Sequence, residues 1–205
     1  MTPLPVMKRF LLLGLLFLPA CGSTGPGEGA SAEPACNRGN ADAPVRLEIY
    51  SDYQCPSCQV FYLQTVKQIF TDYADTGKVC VIYREFPTYE HSREAAKYAR
   101  AALRVGQAQW GRVVEAFYQS LPEWSQTGDV EGVVEAALDP ADFAAVRQNV
   151  QDPALDKIVD DDAIKGLERE VKGTPTSFIT AGGKTEKVDG AITYAGMQRR
   201  LDALF

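Results

Sequence analysis

Arg46-Leu47-Glu48-Ile49-Tyr50-Ser51, running on into Asp52-Tyr53-Gln54-Cys55-Pro56-Ser57-Cys58, is the stretch on which the fold turns. Its first six residues are short, β-prone and partly alternating, as a strand requires. From Cys58 onward the apolar positions are Cys58, Phe61, Tyr62, Thr65, Val66, Ile69, Phe70 and Tyr73, a spacing that keeps one stripe of a helix against a core. Lys78 to Arg84 then forms a nearly continuous apolar strand of the kind buried on both faces. Strand, helix and strand make a βαβ unit, with parallel strands and a right-handed crossover.

Cys55-Pro56-Ser57-Cys58 sits where the first strand gives way to the helix. There the first cysteine meets unpaired backbone N–H groups and the positive end of the helix dipole, which favour thiolate over thiol. Pro56 in the first turn gives up an N–H that would be unsatisfied anyway. Cys58 lies on the apolar stripe, so the expectation is a sheltered Cys58 and a Cys55 that faces solvent. Thiol–disulfide exchange needs that asymmetry of attacking and resolving sulfur. A permanent Cys55–Cys58 bridge and half a zinc site are the other uses of the motif. Zinc would need a second ligand pair at close spacing, whereas Cys36 and Cys80 are far apart and His91 alone remains, so no metal is expected.

Working outward, the segment from His91 to about Val171 has helical periods and no convincing strand. One face carries Ala95, Ala96, Ala99, Ala102 and Leu103, another Trp110, Val113, Val114, Phe117 and Leu121. Pro122, Asp139-Pro140 and Asp152-Pro153 divide the segment, and the Asp160-Asp161-Asp162 run reads as a solvated helix face. A β-pattern returns at Thr176 to Thr180, with a Gly182-Gly183 turn, a strand near Glu186 to Asp189, and a last helix capped by Thr193. The helical block at about 91–171 is thus inserted between two halves of one α/β sheet domain.

The chain has 205 residues, 45% hydrophobic and 10% aromatic, enough for a packed core. Its formal charge is -6, and Lys8-Arg9 is a basic pair near the start, so nucleic acid is a poor partner. That pair precedes an apolar run, Phe10 to Leu18, about half the ~20 residues that span a bilayer. Residues 1–20 read as a secretory signal peptide. Leu18-Pro19-Ala20-Cys21-Gly22 resembles a bacterial lipobox, which would place a lipid on Cys21; an ordinary cleavable signal is the other reading. Five cysteines leave one odd in an exported protein, and lipidation of Cys21 leaves four. Residues 21–42, rich in Gly, Ala, Ser, Glu and Pro, read as a flexible tether, and 43–205 as the folded domain.

Three segments together resemble the DsbA-like branch of the thioredoxin superfamily: Glu48 to Cys58, Tyr83-Arg84-Glu85-Phe86-Pro87, and Lys172-Gly173-Thr174-Pro175-Thr176-Ser177-Phe178-Ile179. With the insert, the resemblance covers nearly everything from Ala43 to Phe205. It implies a thioredoxin fold with an inserted helical subdomain, and a cis peptide bond before Pro175 beside the active-site sulfurs. It also implies that the Thr174 backbone pairs with a substrate strand near Cys55. Glu48 falls where the family often carries a buried acid, which could take the proton Cys58 must lose; a carboxylate paired with Arg84 is the alternative. Ser57 stands where DsbA has a histidine, which implies a milder oxidant. Thr174 before the proline is similar to the disulfide isomerases, but residues 22–42 are too short for their dimerising domain, so a monomer is expected.

Cys36 and Cys80 are expected to form a structural disulfide, the export context and the even count favouring it. The reading as a whole is an exported, membrane-tethered thiol:disulfide oxidoreductase, lying in the periplasm or on the outer face of a membrane. It is expected to exchange disulfides with exported substrate proteins, introducing them, and no cofactor is implied because the electrons reside in two sulfurs. The resemblance implies recycling by a membrane redox partner, a quinone-linked oxidase or a reductase. A tethered reductase or isomerase, and a redox-inert adaptor or chaperone with a structural Cys55–Cys58 bridge, are the alternatives.

Overall fold

The computed structural model describes residues 1–2 and 36–205. The expected signal peptide from residue 3 on, Cys21 and the expected tether up to residue 35 lie outside the described residues. Four strands form one sheet in the order β2-β1-β3-β4, where β1 is Val45–Ser51, β2 Val79–Glu85, β3 Thr176–Ala181 and β4 Lys184–Asp189. β1 pairs parallel with β2 and antiparallel with β3, which pairs antiparallel with β4. The β3–β4 hairpin turns through Gly182 and Gly183 at φ 53° and 76°, values that L side chains resist.

One long helical run, α1, joins β1 to β2. It is α-helical over Pro56–Phe61 and Lys67–Ile69 and widens to π turns over Tyr62–Val66 and Phe70–Ala74. Every apolar-stripe position from Cys58 to Tyr73 is buried. The stripe packs on Leu47, Ile49, Val79, Val81 and Tyr83, alternate residues of β1 and β2. The opposite sheet face carries Tyr50 and Phe178, which join Phe86 and Val171 in a second cluster. Both faces of β2 are therefore covered, which explains its unbroken apolar run.

Between β2 and β3 lie six helices: α2 Ser92–Val105, α3 Gln107–Gln119, α4 Leu121–Thr127, α5 Val130–Ala137, α6 Pro140–Asn149 and α7 Ala154–Glu168. The alanine face of α2 is buried and lets α3, α6 and α7 approach closely. Trp110 and Phe117 of α3 and Trp124 of α4 fill the core. Pro122 marks a break between helices, as the sequence predicts: α3 ends at Gln119, and Pro122 occupies the first turn of α4, where its missing N–H has no intrahelical partner to lose. Asp139 caps α6 by accepting from the Asp142 N–H at 3.0 Å. The final helix, α8 (Tyr194–Asp202), starts at Thr193, whose hydroxyl accepts the Gly196 N–H at 3.2 Å.

Residues 36–42 depart from the tether expected of their composition. Cys36 and Asn37 are buried, the Asn37 N–H donates to the Val81 carbonyl at 2.8 Å, and the Asn37 side-chain carbonyl accepts the Tyr83 N–H at 2.8 Å. This segment covers the outer edge of β2, which would otherwise present an unpaired row of backbone groups. Gly39 makes the approach possible, because a Cβ there would lie 2.4 Å from the Val79 carbonyl oxygen. Composition averages over such backbone pairing and so missed it.

Candidate active site

Cys55 is the N-cap residue of α1. Its N–H donates to the Asp52 carbonyl at 3.1 Å and its carbonyl accepts the Gln59 N–H at 3.0 Å, so the sulfur sits over the open end of the helix. Cys55 and Cys58 are two separate thiols, and both are buried. The expectation that Cys55 faces solvent is corrected: it is only 6% exposed, against 1% for Cys58. The loop carrying Thr174 closes over it, a contact between segments 119 residues apart that helix geometry alone does not reveal.

The two thiols diverge in acidity. A hydrogen bond from Cys58 lowers the Cys55 pKa to about 6, helped by Thr174 and by the Cys58 and Ser57 N–H groups, against the opposing effect of burial. Burial and the neighbouring Cys55 sulfur push the Cys58 thiol far up. One sulfur is thus poised as a thiolate near neutral pH while the other stays protonated.

The Thr174–Pro175 peptide bond is cis. Cys55 Sγ lies 3.4 Å from the Thr174 carbonyl oxygen, while Pro175 is buried and anchored by its carbonyl, which accepts the Gly190 N–H at 2.9 Å. Below the site Asp52, 1% exposed, ties three segments together. Its carboxylate accepts the Gln54 N–H at 2.8 Å, the Ser92 hydroxyl at 2.6 Å, and the Thr88 N–H and hydroxyl at 2.6 and 2.8 Å. The sequence reading did not single out Asp52; its place between strand and Cys55 was the available signal.

Glu48 is an ion-pair residue, the alternative given for it above. Its carboxylate accepts from Arg84 at 2.8 and 3.1 Å and from Arg169 at 2.9 Å. These partners outweigh burial and hold its pKa below the usual carboxylate value, which ill suits a proton acceptor. Strand alternation also sets Glu48 on the face opposite Leu47 and Ile49, away from α1. The acid on the α1 face is Glu85, fully buried, its pKa pushed up to about 7 by burial against the pull of Arg100 at 2.8 Å. Arg100 also pairs with Asp162, and Asp162 with Arg84. Asp162 is therefore a buried counter-ion, not the solvated residue its acidic run suggested, because only every third or fourth helix residue shares a face.

Cys36 and Cys80 are disulfide-bonded, with Cα atoms 5.4 Å apart. They cluster with Ile82 on the sheet face away from α1. No group of three or more potential metal ligands occurs among the described residues.

With this geometry in view, the chain matches the family model described as Thioredoxin over residues 31–203. It is 23% identical over 146 residues to the probable disulfide bond formation protein D of Bacillus anthracis, covering 69% of this chain and 67% of that one. Among solved structures it is similar to the thiol-disulfide exchange protein alpha-DsbA2 of Wolbachia pipientis, with a TM-score of 0.68, 23% identity, and 82% and 86% of the two chains covered. Oxidised BdbD of Bacillus subtilis gives a TM-score of 0.66 at 19% identity, covering 82% and 92%.

Proposed function

The chain belongs to the thioredoxin family and is a DsbA-like thiol:disulfide oxidoreductase, and we propose that it works as an oxidant, donating the Cys55–Cys58 disulfide to exported proteins. The observation that carries this reading is the split in acidity between the two sulfurs. A substrate thiolate attacks Cys55 in the oxidised protein, and Cys58 leaves. A second substrate thiol then attacks the mixed disulfide and releases Cys55, a good leaving group because its thiolate is stable near neutral pH. Thr174, intermediate in exposure beside that sulfur, offers backbone groups for a substrate strand, and buried Pro175 holds the loop against it.

Export by residues 1–20 and lipid attachment at Cys21 would hold the domain at a membrane surface, where a membrane redox partner reoxidises it. The Lys8-Arg9 pair before an apolar run supports that reading. The Cys36–Cys80 disulfide agrees with an oxidising compartment.

The test is the equilibrium of the Cys55–Cys58 pair with glutathione, together with turnover of reduced, unfolded ribonuclease. A potential near roughly −120 mV with disulfides appearing in the ribonuclease supports an oxidant; one near roughly −270 mV makes it a tethered reductase. Failure of the pair to equilibrate would leave a redox-inert structural bridge.

A further inference from the structure

The turn that delivers Cys55 to α1 is closed by two bonds to one residue. The Cys55 N–H donates to the Asp52 carbonyl at 3.1 Å, and the Gln54 N–H donates to Asp52 Oδ1 at 2.8 Å. A turn closed between residues i and i+3 keeps their Cα atoms within about 7 Å, so the Asp52 carboxylate and the Cys55 sulfur belong to one small unit. Further bonds fasten that unit to the chain around the start of α2. Oδ1 accepts the Ser92 hydroxyl at 2.6 Å, and Oδ2 accepts the Thr88 N–H and hydroxyl at 2.6 and 2.8 Å. The Gln54 side-chain carbonyl adds another, accepting the His91 N–H at 2.6 Å.

Four donors converge on two oxygens, and a carboxylate accepts four bonds while donating none. An amide in its place would turn its NH2 group either toward the two Thr88 donors or toward those of Gln54 and Ser92. The geometry thus calls for an ionised group, and the residue that bears it is 1% exposed. All four donors are neutral, so the charge is hydrogen-bonded but not cancelled, and burial keeps solvent from screening it. The Cys55 sulfur on the same turn is anionic in the reduced protein and neutral in the disulfide. A fixed negative charge beside it therefore opposes the reduced form alone.

We propose that Asp52 is a positioning residue that sets the redox balance: its carboxylate builds the turn that holds Cys55, and its charge biases the Cys55–Cys58 pair toward the disulfide, making the protein a milder oxidant. This inference rests on the oxidoreductase reading above. Tyr89, whose N–H donates to the Ser92 hydroxyl oxygen at 3.3 Å, feels both charges, its pKa being raised first by Cys55 and, after burial, by Asp52. The reaction that reads out the balance conserves atoms and electrons. Two glutathione thiols are oxidised to one glutathione disulfide, and the two electrons they give up reduce the Cys55–Cys58 bond. Of their two protons one goes to Cys58 and the other to water, because Cys55 remains a thiolate near neutral pH. The Asp52 charge acts on that thiolate, on the product side.

The test uses the full-length chain with Cys36–Cys80 intact, equilibrated with glutathione at pH 7, together with thiolate absorbance against pH, for wild type, Asp52→Asn and Ser92→Ala. Asp52→Asn should lower the Cys55 pKa below about 6 and shift the equilibrium about three- to tenfold toward the dithiol, giving a stronger oxidant. Ser92→Ala loosens the same knot and keeps the charge, so its equilibrium should move less than about twofold. A structural role alone would lower the melting temperature of both redox forms together and leave the equilibrium in place; that result for Asp52→Asn overturns the inference. So does a shift toward the disulfide, or a shift in Ser92→Ala as large as that in Asp52→Asn. Should Asp52→Asn fail to fold, Asp52→Ser, which keeps an oxygen for the Gln54 N–H, decides on the same criteria. A wild-type protein that does not react with glutathione overturns the oxidoreductase reading itself, a result distinct from all of these.

Discussion

Cys55 Sγ and the Thr174 carbonyl oxygen lie 3.4 Å apart, joining the first turn of α1 to the loop that enters β3. Thr174 also lowers the Cys55 pKa by hydrogen bonding, so the cis-proline loop contributes directly to thiolate stability. Thr174→Val keeps the shape and removes the hydroxyl. Its Cys55 pKa should rise above about 6, and the equilibrium with glutathione should shift three- to tenfold toward the disulfide form, making the protein a weaker oxidant. Thiolate absorbance against pH and a redox titration check the two effects.

The depressed Cys55 pKa makes the stability of the reduced protein depend on pH. A thiol whose folded pKa lies below its unfolded value stabilises the fold above the unfolded pKa and loses that contribution as pH falls through the folded one. For Cys55 the window runs from about 6 to the ordinary thiol value of roughly 8.5. Across it, the melting temperature of the reduced protein should climb relative to the oxidised one. Beyond that, unfolded Cys58 ionises while folded Cys58 does not, and the trend should reverse. Paired melting curves from pH 5 to 10 would show whether the reduced form lacks this rise.

Glu48 offers a clean separation of structure from chemistry. Glu48→Gln removes charge from a pair with Arg84 and Arg169 and should cost roughly 1–3 kcal/mol in urea unfolding. Its disulfide exchange rate with glutathione should stay within twofold of wild type. A slowing of tenfold or more, at a pH where the protein is fully folded, would restore Glu48 as the proton acceptor for Cys58.

Arg100 sits between two buried carboxylates, Glu85 and Asp162. Arg100→Met strands Glu85 and leaves Asp162 with Arg84 alone, and should destabilise by roughly 3–5 kcal/mol, because buried charge loses a counter-ion without regaining water. Adding Glu85→Gln should recover part of that loss. Denaturant unfolding of the single and double variants measures the coupling, and strict additivity would contradict it.

The Cys36–Cys80 bond closes a separation of 44 residues, for which loop-closure entropy gives roughly 2–4 kcal/mol. The Cys36→Ala/Cys80→Ala double variant should lose about that much stability. Since the bond lies on the sheet face away from α1, the Cys55 pKa should not move. Urea unfolding and thiolate titration of the same preparation test both halves.

The elements set by short-range pattern were legible in the sequence. Alternation located β1, the 3.6-residue stripe from Cys58 to Tyr73 located α1, paired glycines placed the β3–β4 turn, and Thr193 announced α8. The cysteine spacing and its position between strand and helix pointed to exchange chemistry before any contact was known. Each of these depends on residues within a few positions of one another, where backbone geometry leaves few choices.

What tertiary structure alone decided depends on which side chains meet across the chain. Glu48 and Glu85 both sit in strands of the sheet, but a single step of alternation sends one to Arg84 and Arg169 and the other to the buried side of α1. Asp162 looks like Asp160 and Asp161 in sequence, yet it turns inward to Arg84 and Arg100 while its neighbours stay wet. Cys55 is sheltered by a loop 119 residues distant, and Asn37 and Arg38 are held by the backbone edge of β2, which composition does not encode. Local geometry fixes an element from its own residues, whereas burial and Coulomb partners act through space and exist only after the sheet has brought distant segments together.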